Sequence, residues 1–288
     1  MIDVKTFGII FNLLLALSAR ASAPEANGRI FLFPKVPAVL IGEKNIGVDL
    51  LKDQQQEVAA AESRASKGLS VIQKKAFVSA VLKKKNAEMV LELDSYQSAK
   101  NEGFLPAIDR AQAQAILEAI RKNPIVSDAG ARKYDVRGSA IGYCFGRAAF
   151  VHVELLRRGV DPKSIGKIFA IGPLTYQDSI WDFHVATVVR STNGGWWAID
   201  GMTDDVLKVE PWMKQVLRWS LDDENPTLRF YFADASKFQP TPGTYSDKKL
   251  YDPLYRGYFK DLAQWFLNHP LKAEERFNKS PNLAPAVE

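Results

Sequence analysis

Cysteine is almost missing from this chain: Cys144 stands alone among 288 residues, so no internal disulfide can form and the fold has to hold without one. Histidine is nearly as scarce. Its three residues, His152, His184 and His269, are too dispersed for structural zinc spacing, and no metal or other cofactor is expected. A glycine-rich phosphate loop of either common type is absent, and Gly194-Gly195 reads as turn chemistry. Beyond the N-terminus, no apolar run approaches the ~20 residues of a membrane span. Nor is there a strong charge of one sign: 38 basic against 33 acidic residues leave a formal +5. The Lys83-Lys84-Lys85 run has no interleaved aromatics, so it reads as a solvated helix face, and no nucleic-acid partner is expected.

What is present suits one or two globular domains: 47% hydrophobic, 11% aromatic and 25% charged residues are ordinary values for a chain with a sizeable core. Residues 1–23 read as a secretory signal. Lys5 gives a weak basic n-region, Phe7 to Leu17 an apolar h-region, and Ala19-Arg20-Ala21 or Ala21-Ser22-Ala23 a small-residue cleavage site. A secreted or periplasmic protein with no membrane span after cleavage is the corresponding expectation.

Residues 24–105 differ in composition. Strand-like pieces at 29–33 and 38–41 are broken by Pro34 and Pro37; Asp49 then caps a polar helix to about Lys67, and Ser70 begins another. This stretch carries none of the chemistry-bearing motifs and reads as a packing subdomain. A boundary falls at 101–106, and residues 106–270 form the main domain. There Asp109 starts a helix, Lys167 to Ile171 is a short strand ended by Gly172-Pro173, Trp212 to Trp219 is an amphipathic helix, Leu228 to Phe232 is a strand and Tyr258 to Leu267 a closing helix. Residues 271–288 read as a mobile tail, with an Asn278-Lys279-Ser280 glycosylation sequon of low specificity.

The chain is organised around Gly142-Tyr143-Cys144-Phe145-Gly146-Arg147-Ala148. Phe145, Ala148, Ala149, Val151, Leu155 and Leu156 recur at helical spacing, and Arg157-Arg158-Gly159 supplies the stop. Cys144 therefore falls at a helix N-terminus, where unpaired amides favour a thiolate and can hold an oxyanion. A free cysteine is also a common core residue. A thiol nucleophile needs a base. His152 is eight residues along the same helix, roughly 12 Å away, and reads as a packing residue; His269 precedes Pro270 and reads as a terminal one.

His184 remains. Trp181 to Arg190 and Trp196 to Asp200 read as strands of a hairpin joined by the turn-rich Ser191 to Gly195. A loop centred on Thr192 would place Asp200 directly opposite His184 on one face, whereas one centred on Gly194 would bring Asp204 there; Asp200 is favoured. A carboxylate at that point would orient the imidazole. Trp181, Trp196 and Trp197 flank this pair, and Trp181 is a candidate for lining a substrate cleft.

Cys144-Phe145-Gly146-Arg147-Ala148, Trp181-Asp182-Phe183-His184-Val185-Ala186 and Ile199-Asp200 together resemble the protein-glutaminase (protein-glutamine deamidase) family, itself distantly similar to transglutaminases and papain-like cysteine enzymes. The likeness spans about residues 107 to 265. This chain departs from the family in lacking disulfides, in a shorter hairpin and in having Gly201 where a proline often follows the acid. The resemblance implies an α+β fold: a papain/transglutaminase-like core, the nucleophile at a helix N-terminus packed on an antiparallel sheet, preceded by a mostly helical N-terminal region, residues 24–105, which would be a removable pro-region as an alternative to a retained packing subdomain. It implies a Cys144-His184-Asp200 triad acting on glutamine side chains of a protein or peptide through a thioester. The oxyanion would be held by the Cys144 amide and one further donor, with Ser139 and Tyr143 as candidates. A cysteine peptidase or cell-wall amidase, a transglutaminase, and a non-catalytic binding protein on the same scaffold are the alternatives.

Overall fold

A computed structural model describes residues 44–65, 67–98, 107–135, 143–176, 179–245, 247–250 and 252–277. The expected signal, the strand-like pieces at 29–41, the boundary at 101–106, Ser139 and the sequon at 278–280 lie outside the described residues. Among those described, no helix is long and apolar enough to cross a membrane.

Two helices open the described chain, α1 (Leu50–Arg64) and α2 (Val71–Ser98). Asp49 caps α1 by accepting from the Lys52 amide, one of the orphan donors of a first turn. Helix α3 (Arg110–Lys122) starts with a capping box in which Asp109 and Gln112 exchange side-chain and backbone bonds, and it buries Ala113, Ile116, Leu117 and Ile120. After the short α4 (Asp128–Ala131) comes α5 (Cys144–Arg157), buried from Cys144 through Leu155. Its C-terminus closes with Gly159 at φ 82 and paired bonds from Gly159 N to Leu156 O and Val160 N to Leu155 O, the left-handed stop expected of Arg157-Arg158-Gly159.

The sheet is antiparallel, with strands β1 (Ile165–Tyr176), β2 (Ser179–Arg190), β3 (Trp196–Ile199), β4 (Leu207–Lys208) and β5 (Arg229–Asp234) in the order β4-β3-β2-β1-β5. Helix α6 (Val209–Leu217) follows β4, and α7 (Asp247–Leu250) and α8 (Tyr258–Asn268) follow β5. Strand β1 does not end at Gly172-Pro173. It passes through them with a register shift between Ile171 and Leu174, and Gly172, at φ 131, supplies the left-handed residue that this bulge needs. Nor is the whole C-terminal tail loose, because Phe277 N donates to Arg158 O and the Arg158 guanidinium lies over the Phe277 ring.

The sheet separates two cores. One holds α3, α5 and α8 against Phe169, Val185 and Val189; the other holds Trp212, Val216 and Trp219 of the α6 region and Met89 and Leu93 of α2 against Ile168, Ala186 and Phe230. Its edge strand β5 is sealed by side chains from the N-terminal region. Asn86 Nδ2 donates to Leu228 O while its Oδ1 accepts from Phe230 N, and Asn45 Nδ2 donates to Phe232 O. A buried lysine makes a second tie: Lys237 Nζ donates to Ile46, Val48 and Thr241 carbonyls, and burial draws its pKa down to about 8.

Asn86→Ala leaves the Phe230 amide and Leu228 carbonyl buried without their partner, so it is expected to destabilise the chain by about 2–4 kcal/mol. Urea unfolding of the variant measures this loss.

Candidate active site

Helix α5 begins at Cys144 without a side-chain cap. Its N-cap is Tyr143, whose side chain bonds none of the first-turn amides, and the Tyr143 carbonyl already accepts from Gly146 and Arg147. Among the described residues no side chain caps the amide end of the helix at the cysteine, which is the arrangement of an anion-binding end. The Tyr143 hydroxyl is not the second donor that the sequence suggested, because it donates to the Tyr134 carbonyl at 2.7 Å. Ser139 is not described.

What fixes α5 is its first turn. Thr187 Oγ1 on β2 donates to the Ala148 carbonyl at 2.7 Å, one turn beyond Cys144 and three residues beyond His184. Gly146 admits no side chain, since a Cβ there would stand 2.5 Å from the Tyr258 hydroxyl. That absence lets the Tyr258 ring stack on Tyr143 at 4.6 Å and clamp the helix start.

The hairpin holds the other two residues, in a register one step away from the expected one. Arg190 pairs with Trp196 and Thr187 with Ile199, so the five-residue loop is centred on Asn193, not on Thr192 or Gly194. Gly194 and Gly195, at φ 79 and 65, carry the turn and set that centre. Asp200 thus stands diagonal to His184 instead of opposite it. Strand β3 ends at Ile199, and Asp200 opens a turn whose carbonyl accepts from Thr203 N. From there the carboxylate reaches His184 across the diagonal, a distance a side chain can bridge. Asp204, the alternative acid, is instead held through its backbone carbonyl by Arg121.

The resulting pair is short and dry. His184 Nε2 lies 2.6 Å from Asp200 Oδ2, and the two residues are 0% and 3% exposed. The same oxygen accepts from Trp212 Nε1 at 2.8 Å, and Oδ1 accepts from Met202 N at 3.0 Å. Above the imidazole, Trp212 stacks at 5.9 Å, and Trp219 meets it edge-on at 5.4 Å. Sequence reasoning gave Trp212 no role at the carboxylate. A buried indole usually finds an acceptor, and the apolar stripe of Trp212 to Trp219 beside Asp200 was the signal that could have found it.

Burial pulls the His184 pKa down, but the Asp200 charge and hydrogen bond, with Cys144 adding to them, outweigh it and raise it to about 9. Burial pushes Asp200 up; the imidazolium, the Met202 amide and the Trp212 indole outweigh this and hold it below the usual carboxylate range. His184 Nδ1 has no partner of ordinary hydrogen-bond geometry among the described residues, although Cys144 is close enough to act on the ring's protonation. Cys144 is 4% exposed, so thiol and imidazole meet inside the protein. The structure thus gathers Cys144, His184 and Asp200, the three residues singled out from the sequence.

The two other histidines lie elsewhere. His152 is a packing residue stacked on Tyr245, and burial, helped by the Lys167 charge, lowers its pKa to about 3. His269 lies exposed at the end of α8, stacked on Trp265, with Nδ1 on the Trp265 carbonyl. Trp181 is half-buried on β2, paired across the hairpin with Leu174. Comparison with protein-family models, curated proteins and solved structures finds no match to this chain, so the reading of the site rests on its own geometry.

Trp212→Phe keeps a ring over His184 but removes the donor to Asp200, and about 2 kcal/mol of stability is expected to go with it. Thermal unfolding compared with wild type gives the number. The pair also has a pH window. A His184 pKa raised from 6.5 to about 9 gives stabilisation that is complete below 6.5 and lost as pH rises through 9. A depressed Asp200 gives stabilisation present above its usual 3.8 and lost as pH falls below that. The Tm difference between wild type and Asp200→Asn is therefore expected to be widest near pH 5–6 and to narrow steadily towards pH 9.

Proposed function

We propose that this chain is a cysteine-dependent amidohydrolase that deamidates glutamine side chains in proteins or peptides, built on a papain/transglutaminase-like core. The observation that carries the reading is the buried His184–Asp200 pair set beside a thiol at an uncapped helix start. Asp200 holds the proton on His184 Nε2, which leaves Nδ1 to serve the thiol. With the imidazole charged, the Cys144 proton already rests on Nδ1, and the thiolate adds to the carboxamide carbon. The oxyanion forms at the helix N-terminus against the Cys144 amide. The C–N bond breaks, and ammonia departs with a proton from His184. Water, deprotonated by the same imidazole, then hydrolyses the thioester to glutamate and restores the thiolate beside the charged ring.

Glutamine as substrate is supported by the likeness of the three motif segments and by the burial of the site. A carboxamide on two methylenes can thread towards a thiol that is 4% exposed. A scissile main-chain peptide bond would bring flanking residues in with it. Residues 1–23 are the export signal in this reading, and the product is secreted or periplasmic. The helices of residues 24–105 remain as a packing subdomain, which the Asn86 and Asn45 bonds to β5 support.

Incubated with an unfolded glutamine-rich protein, the chain is expected to release ammonia and add about one dalton per event, with the backbone uncut, and Cys144→Ala to abolish both. Asp200→Ala is expected to slow the reaction less than loss of the nucleophile does. Peptide fragments without ammonia would instead indicate a peptidase or cell-wall amidase, and amine incorporation a transglutaminase. An unreactive thiol with no turnover would indicate a binding protein.

A further inference from the structure

Arg147 stands three residues after Cys144 in the first turn of α5 and is buried, yet among the described residues only one of its nitrogens finds an acid: Nη1 reaches the outward-lying Asp128 carboxylate at 3.2 Å, and Nε has no hydrogen-bond partner. Burying a long cationic side chain to make one half-solvated ion pair gains little by itself. Its stem has a closer neighbour. A Cβ built on Gly201 would lie 2.8 Å from Arg147 Cδ, 3.4 Å from Nε and 3.2 Å from Ile120 Cγ2. The arginine stem therefore occupies the space a side chain at 201 would take, directly after Asp200.

We infer that Arg147 is a positioning residue: its stem, laid against Gly201, fixes the distance between the helix that carries Cys144 and the turn that carries Asp200, and through Asp200 the placing of His184. Three contacts make the connection continuous. Cys144 and Arg147 share the first turn of α5, Arg147 abuts Gly201, and the Asp200 carboxylate beside it holds both His184 Nε2 and Trp212 Nε1. Thr187 Oγ1 ties the next residue of α5, Ala148, to β2. Packed atoms hold a spacing more stiffly than an exposed ion pair can, so the stem rather than the charge sets it. Gly201 follows from the same contact, because any larger residue would push Arg147, and Cys144 with it, away from the acid.

The inference rests on the triad reading, and its test reads the thiol as well as turnover. The chain has one cysteine, so iodoacetamide reports Cys144 alone. For Arg147→Ala, alkylation at pH 6 relative to pH 9 and kcat for ammonia release are each expected to fall about tenfold, with KM within about twofold. Arg147→Met, which retains an unbranched stem without the guanidinium, is expected to recover most of both. Gly201→Ala alone is expected to resemble Arg147→Ala, and asks the question without touching the arginine. In the double variant Arg147→Ala/Gly201→Ala the new methyl fills the vacated space, so its loss is expected to be smaller than the product of the single losses. Arg147→Met as impaired as Arg147→Ala, or single losses that simply multiply, would overturn the inference. If the wild type releases no ammonia the amidase reading fails, and the alkylation ratios still decide the role of Arg147.

Discussion

An imidazolium–carboxylate pair taken out of water is the constraint on which this structure turns. Isolated buried charges cost several kcal/mol each, and such a pair persists only when its geometry is good and its remaining lone pairs are filled. Here the carboxylate has three donors, His184 Nε2, Trp212 Nε1 and Met202 N. Each comes from a different piece of chain. Strand β2, helix α6 and the turn after β3 must all be in place before Asp200 can be ionised at low cost, so folding and the assembly of the site are one event.

The same logic explains why β3 is short. Had it continued as a regular strand, Asp200 would have stayed in the sheet instead of opening the turn from which its carboxylate reaches diagonally to His184. By stopping at Ile199 the strand also leaves part of the β2 flank beside His184 unpaired with β3. Helix α5, bonded at Ala148 to Thr187, packs against the same strand. Its amide end and the imidazole are thereby brought together inside the protein.

Much of this could be read from the residues because chemistry was scarce. With one cysteine and three histidines, elimination reached Cys144 and His184 without help from the fold, and the caps at Asp49 and Asp109 and the stop at Gly159 announced their helices locally. The hairpin register could not be reached that way. It turned on which two glycines would adopt left-handed backbone, and Gly194-Gly195 shifted the loop centre by one residue. The His184–Asp200 contact forms all the same because an imidazole ring reaches across a diagonal. Trp212, Arg147 and Gly201 stayed hidden for a different reason: an indole in an amphipathic helix, an arginine in a motif and a glycine after an acid each have ordinary explanations. Their roles exist only as contacts between segments 50 or more residues apart in some cases, as with Arg147 and Gly201.

Strand β5 is the rim of the sheet, and side-chain amides stand where another strand would. Asn86 presents one donor and one acceptor to it, as a backbone peptide group does. A proteolytic nick that released this helix would bare a row of unpaired backbone groups, which other chains can pair with. Two side-chain amides, Asn86 and Asn45, with the Lys44 carbonyl that accepts from Asp234 N, thus stand in for a sixth strand and keep this edge of the sheet finite.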